Sequence, residues 1–279
     1  MDFPKTILEE LLFKKSPPKL HYLKQNYSLP IPTINYLLKT APAIVYFKLY
    51  QSCKILHKFI EEKYGPQIDV LEAGKLNESF FFSINAENKE IKIRGSEKVY
   101  TEIRSSKKIW IRKRLLLKSL SPQITNKFLI KLNLSTIKEV YLLGAAISVD
   151  DYKKLLVPSI EIMYGDICGS AEDFDIIKYT LTELPNLKIF KLPWNRNLTN
   201  FVELNEIKRK CKLQKAEIYD FPGITMAEEN IKEFASKYMG IGSTLYLSFR
   251  ERVQQITINQ YQNLVEEFNS SFSSKMVIR

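Results

Sequence analysis

The chain has 279 residues, of which 45% are hydrophobic and 26% are charged. This composition is typical of a packed globular protein and excludes disorder over the whole chain. No run of 18 apolar residues occurs, and the amphipathic first residues, with acidic side chains at Glu9 and Glu10, exclude a typical secretory signal. We therefore expect a protein with no membrane span, located in the cytoplasm or the nucleus.

The net charge of +11 comes from two stretches of the chain. Residues 1–60 contain 9 basic and 3 acidic side chains, and residues 86–131 contain 13 and 4. The three cysteines, Cys53, Cys168 and Cys211, are odd in number and far apart, so they predict neither a disulfide framework nor a metal site. This cysteine usage favours a reducing, intracellular compartment.

Residues 1–65 are predicted to form a small helical region. Pro4 fits the first turn of a helix, where a missing N–H group leaves no hydrogen bond unmade. Two later prolines, Pro17 and Pro42, mark the starts of further helices in the same way. The apolar residues that fall on one face of the first helix are Ile7, Leu8, Leu11 and Leu12.

Residues 66–106 are predicted to contain a β-hairpin that connects the two parts of the chain. Alternate residues are apolar in two runs, with Phe80, Phe82 and Ile84 in the first and Ile91 and Ile93 in the second. The polar composition of residues 85–88 is typical of a turn between two strands.

Residues 107–279 are predicted to be irregular leucine-rich-repeat-like units, each made of one strand and one helix. The strand-like runs begin about 20 to 31 residues apart, close to the length of one such repeat. These strand-like runs share alternating or β-branched apolar residues. They are residues 109–111, 139–143, 160–163, 187–190, 216–219, 245–248 and 276–278.

Helix starts are predicted between these runs. Each start has a side-chain oxygen that can accept a hydrogen bond from a backbone N–H group of the first helical turn. Apolar residues then recur on one side of the helix, as at Phe174, Ile177 and Leu181. Because a helix separates each strand from the next, we expect an α/β solenoid with a parallel sheet and outer helices. The predicted capping residues are Ser121, Ser148, Ser170, Asn200, Thr225 and Thr257.

Residues suited to catalysis or metal binding are scarce. The two histidines, His21 and His57, lie in the N-terminal region with no acid or thiol at a catalytic spacing. The sequence motifs of phosphate-binding loops, nucleophile elbows and zinc proteases do not occur. We therefore predict that the protein is not an enzyme and holds no cofactor or metal.

One dense basic cluster stands at the first predicted repeat. Trp110 among cations is typical of a surface that binds nucleic acid or an anionic membrane through charge and stacking. The other interpretation, which we favour, is a first strand whose Ile109 and Ile111 face the core while alternate residues face solvent. The residues of the basic cluster are Lys107, Lys108, Trp110, Arg112, Lys113 and Arg114.

The N-terminal sequence resembles a degenerate F-box. The matching residues are Phe3-Pro4, Ile7-Leu8-Glu9 and Leu11-Leu12, followed by Ser16-Pro17 and Lys19-Leu20. The helical stretch that ends with Leu49-Tyr50-Gln51-Ser52-Cys53-Lys54-Ile55-Leu56, with the repeats that follow, is similar to the large, divergent nematode families of F-box-associated and leucine-rich-repeat-like proteins. The resemblance implies a substrate receptor of a cullin-based ubiquitin ligase.

In such a receptor the N-terminal helix binds the ligase adaptor and the repeats bind the substrate. The resemblance implies that Phe3, Pro4, Ile7, Leu8, Leu11 and Leu12 contact the adaptor. The other interpretation is that these residues form the core of a cap that covers the end of the solenoid. Under both interpretations we predict a non-catalytic protein–protein interaction module, whose partner the sequence does not specify, and nucleic-acid or anionic-surface binding is the alternative.

Overall fold

The computed structural model describes residues 67–76, 79–86, 89–95, 108–167, 174–221, 228–249, 265–266, 268–270 and 274–278, with a few further positions near residues 30–36 and at 262. Among the first 65 residues, Pro32, Thr33 and Tyr36 are described as helical. The predicted N-terminal helices, with the residues implied to contact an adaptor, otherwise lie outside the described residues.

Eleven strands of the described chain form one sheet. In chain order they are β1 (Gln67–Leu76), β2 (Ser79–Ala86), β3 (Lys89–Gly95), β4 (Ile109–Lys118), β5 (Leu132–Asn133), β6 (Glu139–Ala145), β7 (Ile162–Ile167), β8 (Ile189–Pro193), β9 (Leu213–Phe221), β10 (Met239–Phe249) and β11 (Lys275–Ile278). Their spatial order is β11-β10-β9-β8-β7-β6-β4-β1-β2-β3, and the short β5 pairs with the start of β4.

The sheet is parallel from β1 across to β11. Antiparallel pairing joins β1 to β2 and β2 to β3 at one end. From β6 to β11 each strand pairs with the next strand in sequence, as expected when every crossover returns the chain to the adjacent position. The predicted α/β class with a mostly parallel sheet is confirmed.

Five helices with fully described bounds connect successive strands up to β10, and the described residues between 262 and 270 are also helical. The five helices are α1 (Pro122–Leu129), α2 (Val149–Leu155), α3 (Ile176–Glu183), α4 (Phe201–Asn205) and α5 (Glu228–Tyr238). Ser148 and Asn200 cap α2 and α4 as predicted, because their side-chain oxygens accept hydrogen bonds from the backbone N–H groups of Asp151 and Glu203. Ser121 precedes the proline that begins α1, but its side chain makes no capping hydrogen bond.

The start of α3 differs from the prediction. The predicted cap, Ser170, lies outside the described residues, and α3 begins only at Ile176. Its N-cap is Asp175, whose Oδ1 accepts a hydrogen bond of 2.9 Å from the Lys178 N–H group. Phe174 therefore precedes the helix and does not open its apolar stripe, although its ring still packs against the core.

Strands and helices share one apolar core. On the sheet, a buried row in register crosses eight strands and consists of Leu71, Leu115, Val140, Met163, Phe190, Ala216, Leu245 and Met276. The helices contribute Phe128, Tyr152, Ile177, Phe201, Leu204, Ile231 and Phe234 to the same cluster. The five helices therefore pack on one face of the sheet, and successive side chains of each strand point alternately to this face and to the opposite one.

The hairpin of β2 and β3 lies where the sequence predicts it, with Ala86 opposite Lys89 at its turn. It is part of the main sheet, because the unpredicted strand β1 pairs with β2 on one side and with β4 on the other. The sequence of β1, QIDVLEAGKL, has no regular apolar alternation over its length, which explains why the pattern did not reveal it.

Candidate protein-interaction face of the sheet

The sheet face opposite the five described helices presents tyrosines and charged residues. We call this side the open face. One of its rows consists of Tyr141, Tyr164, Lys191, Glu217 and Tyr246, which are register neighbours on the parallel strands β6 to β10. Each lies between two buried residues of its own strand, so strand alternation alone places all five on the open face. With Lys215 and Tyr219 from β9, we call this set the tyrosine–lysine band.

The β6–β7 half of the band is an aromatic stack. The rings of Tyr141 and Tyr164 lie 5.0 Å apart between centroids, at an interplanar angle of 17°. The guanidinium of Arg114 lies 5.3 Å from the Tyr141 centroid and forms an ion pair of 2.6 Å with Glu139. Burial and the neighbouring Glu139 charge raise the pKa of Tyr141, so its hydroxyl stays protonated at neutral pH.

The β8–β10 half of the band is cationic. Lys191 and Lys215 both form ion pairs with Glu217, with N–O distances of 2.7 Å and 3.4 Å. The Lys215 ammonium also lies 4.9 Å from the Tyr246 ring centroid, and the Lys191 ammonium lies 5.9 Å from that of Tyr219.

Glu217 is the buried member of this group. Its side chain is 8% exposed, whereas those of Lys191 and Lys215 are 40% and 35% exposed. Burial alone would raise the pKa of Glu217, but the hydrogen bond and charge of Lys191, with the charge of Lys215, hold this pKa below its ordinary value. The carboxylate is therefore ionised at neutral pH, and the two ammonium groups lie nearer to solvent.

Tyr219 of β9 makes a hydrogen bond across β8 to β7. The last register pair of β7 and β8 joins Tyr164 to Lys191. Just beyond it, the Gly165 carbonyl of β7 accepts a hydrogen bond of 2.6 Å from the Tyr219 hydroxyl of β9. The Tyr219 ring is thereby held beside Lys191, which stiffens the cationic half of the band.

The band combines aromatic rings with paired charges. Tyrosine offers a large apolar ring with a polar hydroxyl group and is enriched where proteins bind proteins. The charged groups described above form ion pairs with each other. Within the described residues, no group of three His, Cys, Asp or Glu side chains is placed to hold a metal ion.

The predicted basic cluster lies at the start of β4 and is only partly exposed. The prediction that Trp110 faces solvent is wrong. Its side chain is buried, with 2% exposure, and its indole N–H donates a 2.7 Å hydrogen bond to the Thr136 hydroxyl. Ile109, Trp110 and Ile111 are all buried, so simple alternation between a buried and a solvent-facing side does not hold at the start of β4. Trp110 therefore cannot stack on a base, as the anion-binding alternative requires.

The other members of the basic cluster are distributed between salt bridges and solvent. Arg112 lies 3.5 Å from Asp69, and Arg114 belongs to the aromatic half of the open face. Lys108 and Lys113 are exposed, and Lys107 lies outside the described residues. Among the five described members, the buried Trp110 and the paired Arg112 and Arg114 leave Lys108 and Lys113 as the exposed side chains.

The tyrosine–lysine band was not predicted, although the sequence contains a signal for it. The residue between the two core positions of a strand is tyrosine in Val140-Tyr141-Leu142, Met163-Tyr164-Gly165 and Leu245-Tyr246-Leu247. A half-buried tyrosine at the same place in three repeats indicates a shared face. Finding it requires aligning the repeats on their core residues before reading the residues between them.

The fold and the band define a class of protein, an α/β chain whose mostly parallel sheet has one face covered by helices and one face with paired tyrosines and lysines. No protein-family model matches the sequence, and no curated protein matches it significantly. In the part of the chain that the structure describes, no helix is long and apolar enough to cross a membrane.

Proposed function

We propose that the chain is a leucine-rich-repeat-like solenoid that binds a protein partner and catalyses no reaction, and that the tyrosine–lysine band is its docking surface. The observation that supports this most directly is the register of Tyr141, Tyr164, Lys191, Glu217 and Tyr246 on five neighbouring strands. These residues are more than 100 positions apart in the sequence at their extremes, and the sheet brings them into one row.

The dimensions of the band suit a peptide segment of the partner. Five strands at about 4.8 Å spacing make the row about 19 Å wide. An extended peptide of about six residues, at about 3.3 Å for each residue, covers that distance. Tyrosine rings that are already stacked, and lysines that are already ion-paired, lose little conformational entropy on binding, which favours affinity from a small contact area.

We further propose, from the F-box resemblance, that Phe3, Pro4, Ile7, Leu8, Leu11 and Leu12 bind the adaptor of a cullin-based ubiquitin ligase. In that arrangement the band holds the substrate. The two contacts belong to different parts of the chain, so each is tested by substitutions that leave the other intact.

The docking proposal is tested by affinity capture of the tagged full-length chain from cells, with quantitative mass spectrometry. The Tyr141→Ala/Tyr164→Ala double variant removes the aromatic stack. Tyr179→Ala is the matched control, because Tyr179 is a half-buried tyrosine of α3 that packs against Phe174 on the helix side. We expect partner recovery to fall about tenfold or more with the double variant, since interface tyrosines contribute about 1 to 2 kcal/mol each. Equal recovery with all three proteins would contradict the proposal.

The adaptor proposal is tested in the same experiment with Leu8→Asp/Leu11→Asp, which introduces charge on the predicted apolar face. We expect a cullin adaptor to be recovered with wild type and with the tyrosine double variant, and lost with the aspartate variant. Absence of an adaptor from the wild-type capture would instead favour the cap interpretation of the N-terminal residues.

A further inference from the structure

The open face is electrically asymmetric. From β8 to β11, its positions in register carry the three lysines Lys191, Lys215 and Lys275, and a single carboxylate, that of Glu217. Towards β4, by contrast, Arg114 is matched by Glu139. One end of the tyrosine–lysine band is therefore positively charged, and the end that bears the Tyr141–Tyr164 stack is close to neutral.

The lysines and Glu217 differ in their exposure to solvent, so a ligand reaches them in a fixed order. Glu217 is nearly buried and its two lysines are partly exposed, so an approaching group reaches the ammonium groups before the carboxylate. Two ammonium groups and one carboxylate leave one positive charge in excess. The rings of Tyr219 and Tyr246 flank this charge and reduce its contact with water, which strengthens its attraction for an anion.

We propose that the partner segment bound by the band is acidic, with an Asp or Glu side chain between Lys191 and Lys215 and an aromatic or large apolar side chain on the Tyr141–Tyr164 stack. This inference rests on the proposed docking function and specifies the chemistry of its partner. The stack and the lysine pair are separated by about two strand spacings, or about 10 Å. The acidic and apolar residues of an extended partner segment are therefore about three positions apart.

A second lysine–glutamate–lysine group provides an internal control. Glu161 pairs with Lys138 at 2.8 Å and with Lys188 at 2.7 Å, so this group has the same composition and also bridges neighbouring repeats. These residues precede β6, β7 and β8 and lie outside the band, so this group joins three successive repeats, whereas Lys191, Glu217 and Lys215 join two. Neutralising them removes the same two charges and the same kind of salt bridge without touching the proposed site.

The test is a selection of random twelve-residue peptides displayed on phage against the immobilised full-length protein. We expect the enriched peptides to carry an Asp or Glu about three positions from an aromatic or large apolar residue. Enriched peptides with no acidic excess, or no enrichment at all, would overturn the proposal. Synthetic copies of the enriched peptides, labelled with a fluorophore, then give dissociation constants by anisotropy.

Three variants assign the contact. K191Q/K215Q is expected to weaken binding about tenfold or more, because it removes both cations that face the peptide carboxylate. K138Q/K188Q is expected to bind like wild type. E217Q keeps both lysines and adds one net positive charge, so it is expected to bind about threefold more tightly, a gain that a purely structural role for Glu217 would not produce. Circular dichroism of each variant verifies the fold.

The outcomes separate this inference from the docking proposal. If the selected peptides lose affinity for Tyr141→Ala/Tyr164→Ala but bind K191Q/K215Q like wild type, the band is the docking surface and the acidic specificity is wrong. If neither pair of substitutions changes affinity, both proposals are wrong. If affinity falls only with K191Q/K215Q, and the affinity of the wild-type protein weakens as salt is raised, the acidic contact is supported and the stack has no role in binding.

Discussion

The hydroxyl group of Tyr238, which belongs to the following repeat, binds backbone carbonyl oxygens at the C-terminal end of α4. It lies 2.7 Å from the Leu204 carbonyl oxygen and 2.6 Å from that of Ile207, and it donates a shared hydrogen bond to both. In Tyr238→Phe, these buried carbonyls lose their donor while the packing of the ring remains. We expect the free energy of unfolding to fall by about 1 to 2 kcal/mol, measured by urea denaturation. Tyr179→Phe is the control, and an equal loss there would contradict the assignment.

Asp151 is stabilised as an ion by its neighbours. Burial alone would raise its pKa, but hydrogen bonds from Lys154, Asn126 and Ser148 outweigh burial and hold the pKa below its ordinary value. A depressed folded pKa gives stability that is present above the unfolded value of about 4 and is lost as the pH falls through the folded value. We expect Asp151→Asn to lower the free energy of unfolding by about 1 to 3 kcal/mol at pH 7. That difference from wild type should narrow towards pH 3 in urea denaturation series, and a difference independent of pH would contradict the argument.

The pKa of Asp175 is shifted upwards, opposite to that of Asp151, although both residues are at a helix start. Burial raises the pKa of Asp175 despite hydrogen bonds from the Lys178 N–H group and the Thr199 hydroxyl, and its Oδ2 has no hydrogen-bond partner in the described part of the chain. Stability from this group is therefore greatest at low pH and falls as the carboxyl ionises. Asparagine caps helices as well as aspartate. We expect Asp175→Asn to be within about 0.5 kcal/mol of wild type at pH 7, or more stable, by the same denaturation assay. A loss of the size expected for Asp151→Asn would show that the charge is required.

Arg209 joins one strand–helix unit to the preceding one. Its Nη1 donates to the carbonyls of Leu181 and Leu184 at 3.0 Å and 3.3 Å, and its Nη2 donates to that of Leu187 at 2.6 Å. Burial lowers the pKa of Arg209, but an arginine guanidinium remains charged and is favoured at the C-terminal end of α3.

We expect Arg209→Gln to lower the free energy of unfolding by about 2 to 3 kcal/mol, because several charge-assisted hydrogen bonds are lost. Arg209→Lys should recover part of this loss, since it keeps the charge but not the fork of donors. Lys210→Gln, at the exposed neighbouring position, should leave urea denaturation unchanged. Equal effects at positions 209 and 210 would show that the carbonyl contacts do not matter.

The sequence predicted the strands and helix caps that depend on residues close together in the chain. The strands β6 to β11 follow apolar alternation, and Ser148 and Asn200 are caps because a short side-chain oxygen three residues before a free N–H group suffices. The start of α3 was misplaced because Ser170 and Asp175 both satisfy that rule, and tertiary contacts, among them the Thr199–Asp175 hydrogen bond, select the second. The strand β1 was missed because its pairing with β4 is a long-range property.

The candidate site was less predictable than the fold, for a physical reason. Tyr141 and Tyr246 belong to one row only because four successive register pairs align their strands, and register is set by packing of the core. The basic cluster around Trp110 was conspicuous because its residues are adjacent in sequence. Adjacency in a strand, however, places neighbours on opposite faces, and at Trp110 both faces are covered.

The described chain is held together as one sheet, and Gly74 lies where its two kinds of pairing meet. In β1 it is opposite Phe81 of the antiparallel β2 and opposite Lys118 of the parallel β4. A Cβ atom added at Gly74 would lie 2.7 Å from the Lys118 carbonyl oxygen and 2.7 Å from a ring carbon of Phe81. The ring can turn away, but the backbone oxygen moves only if β1 and β4 separate.

We therefore expect Gly74→Ala to weaken the attachment of the hairpin to the repeats, lowering the free energy of unfolding by about 1 to 3 kcal/mol. Hydrogen exchange measured by mass spectrometry should accelerate in residues 67–95 and remain slow from β6 to β10. Gly240→Ala is the matched control, because a Cβ atom there would meet its nearest neighbour, the Leu213 carbonyl oxygen, at an ordinary 3.4 Å. If the hairpin exchanged at the wild-type rate in Gly74→Ala, its attachment would not depend on the close approach of β1 and β4. Faster exchange through all the strands would instead show that hairpin and repeats unfold as one cooperative unit.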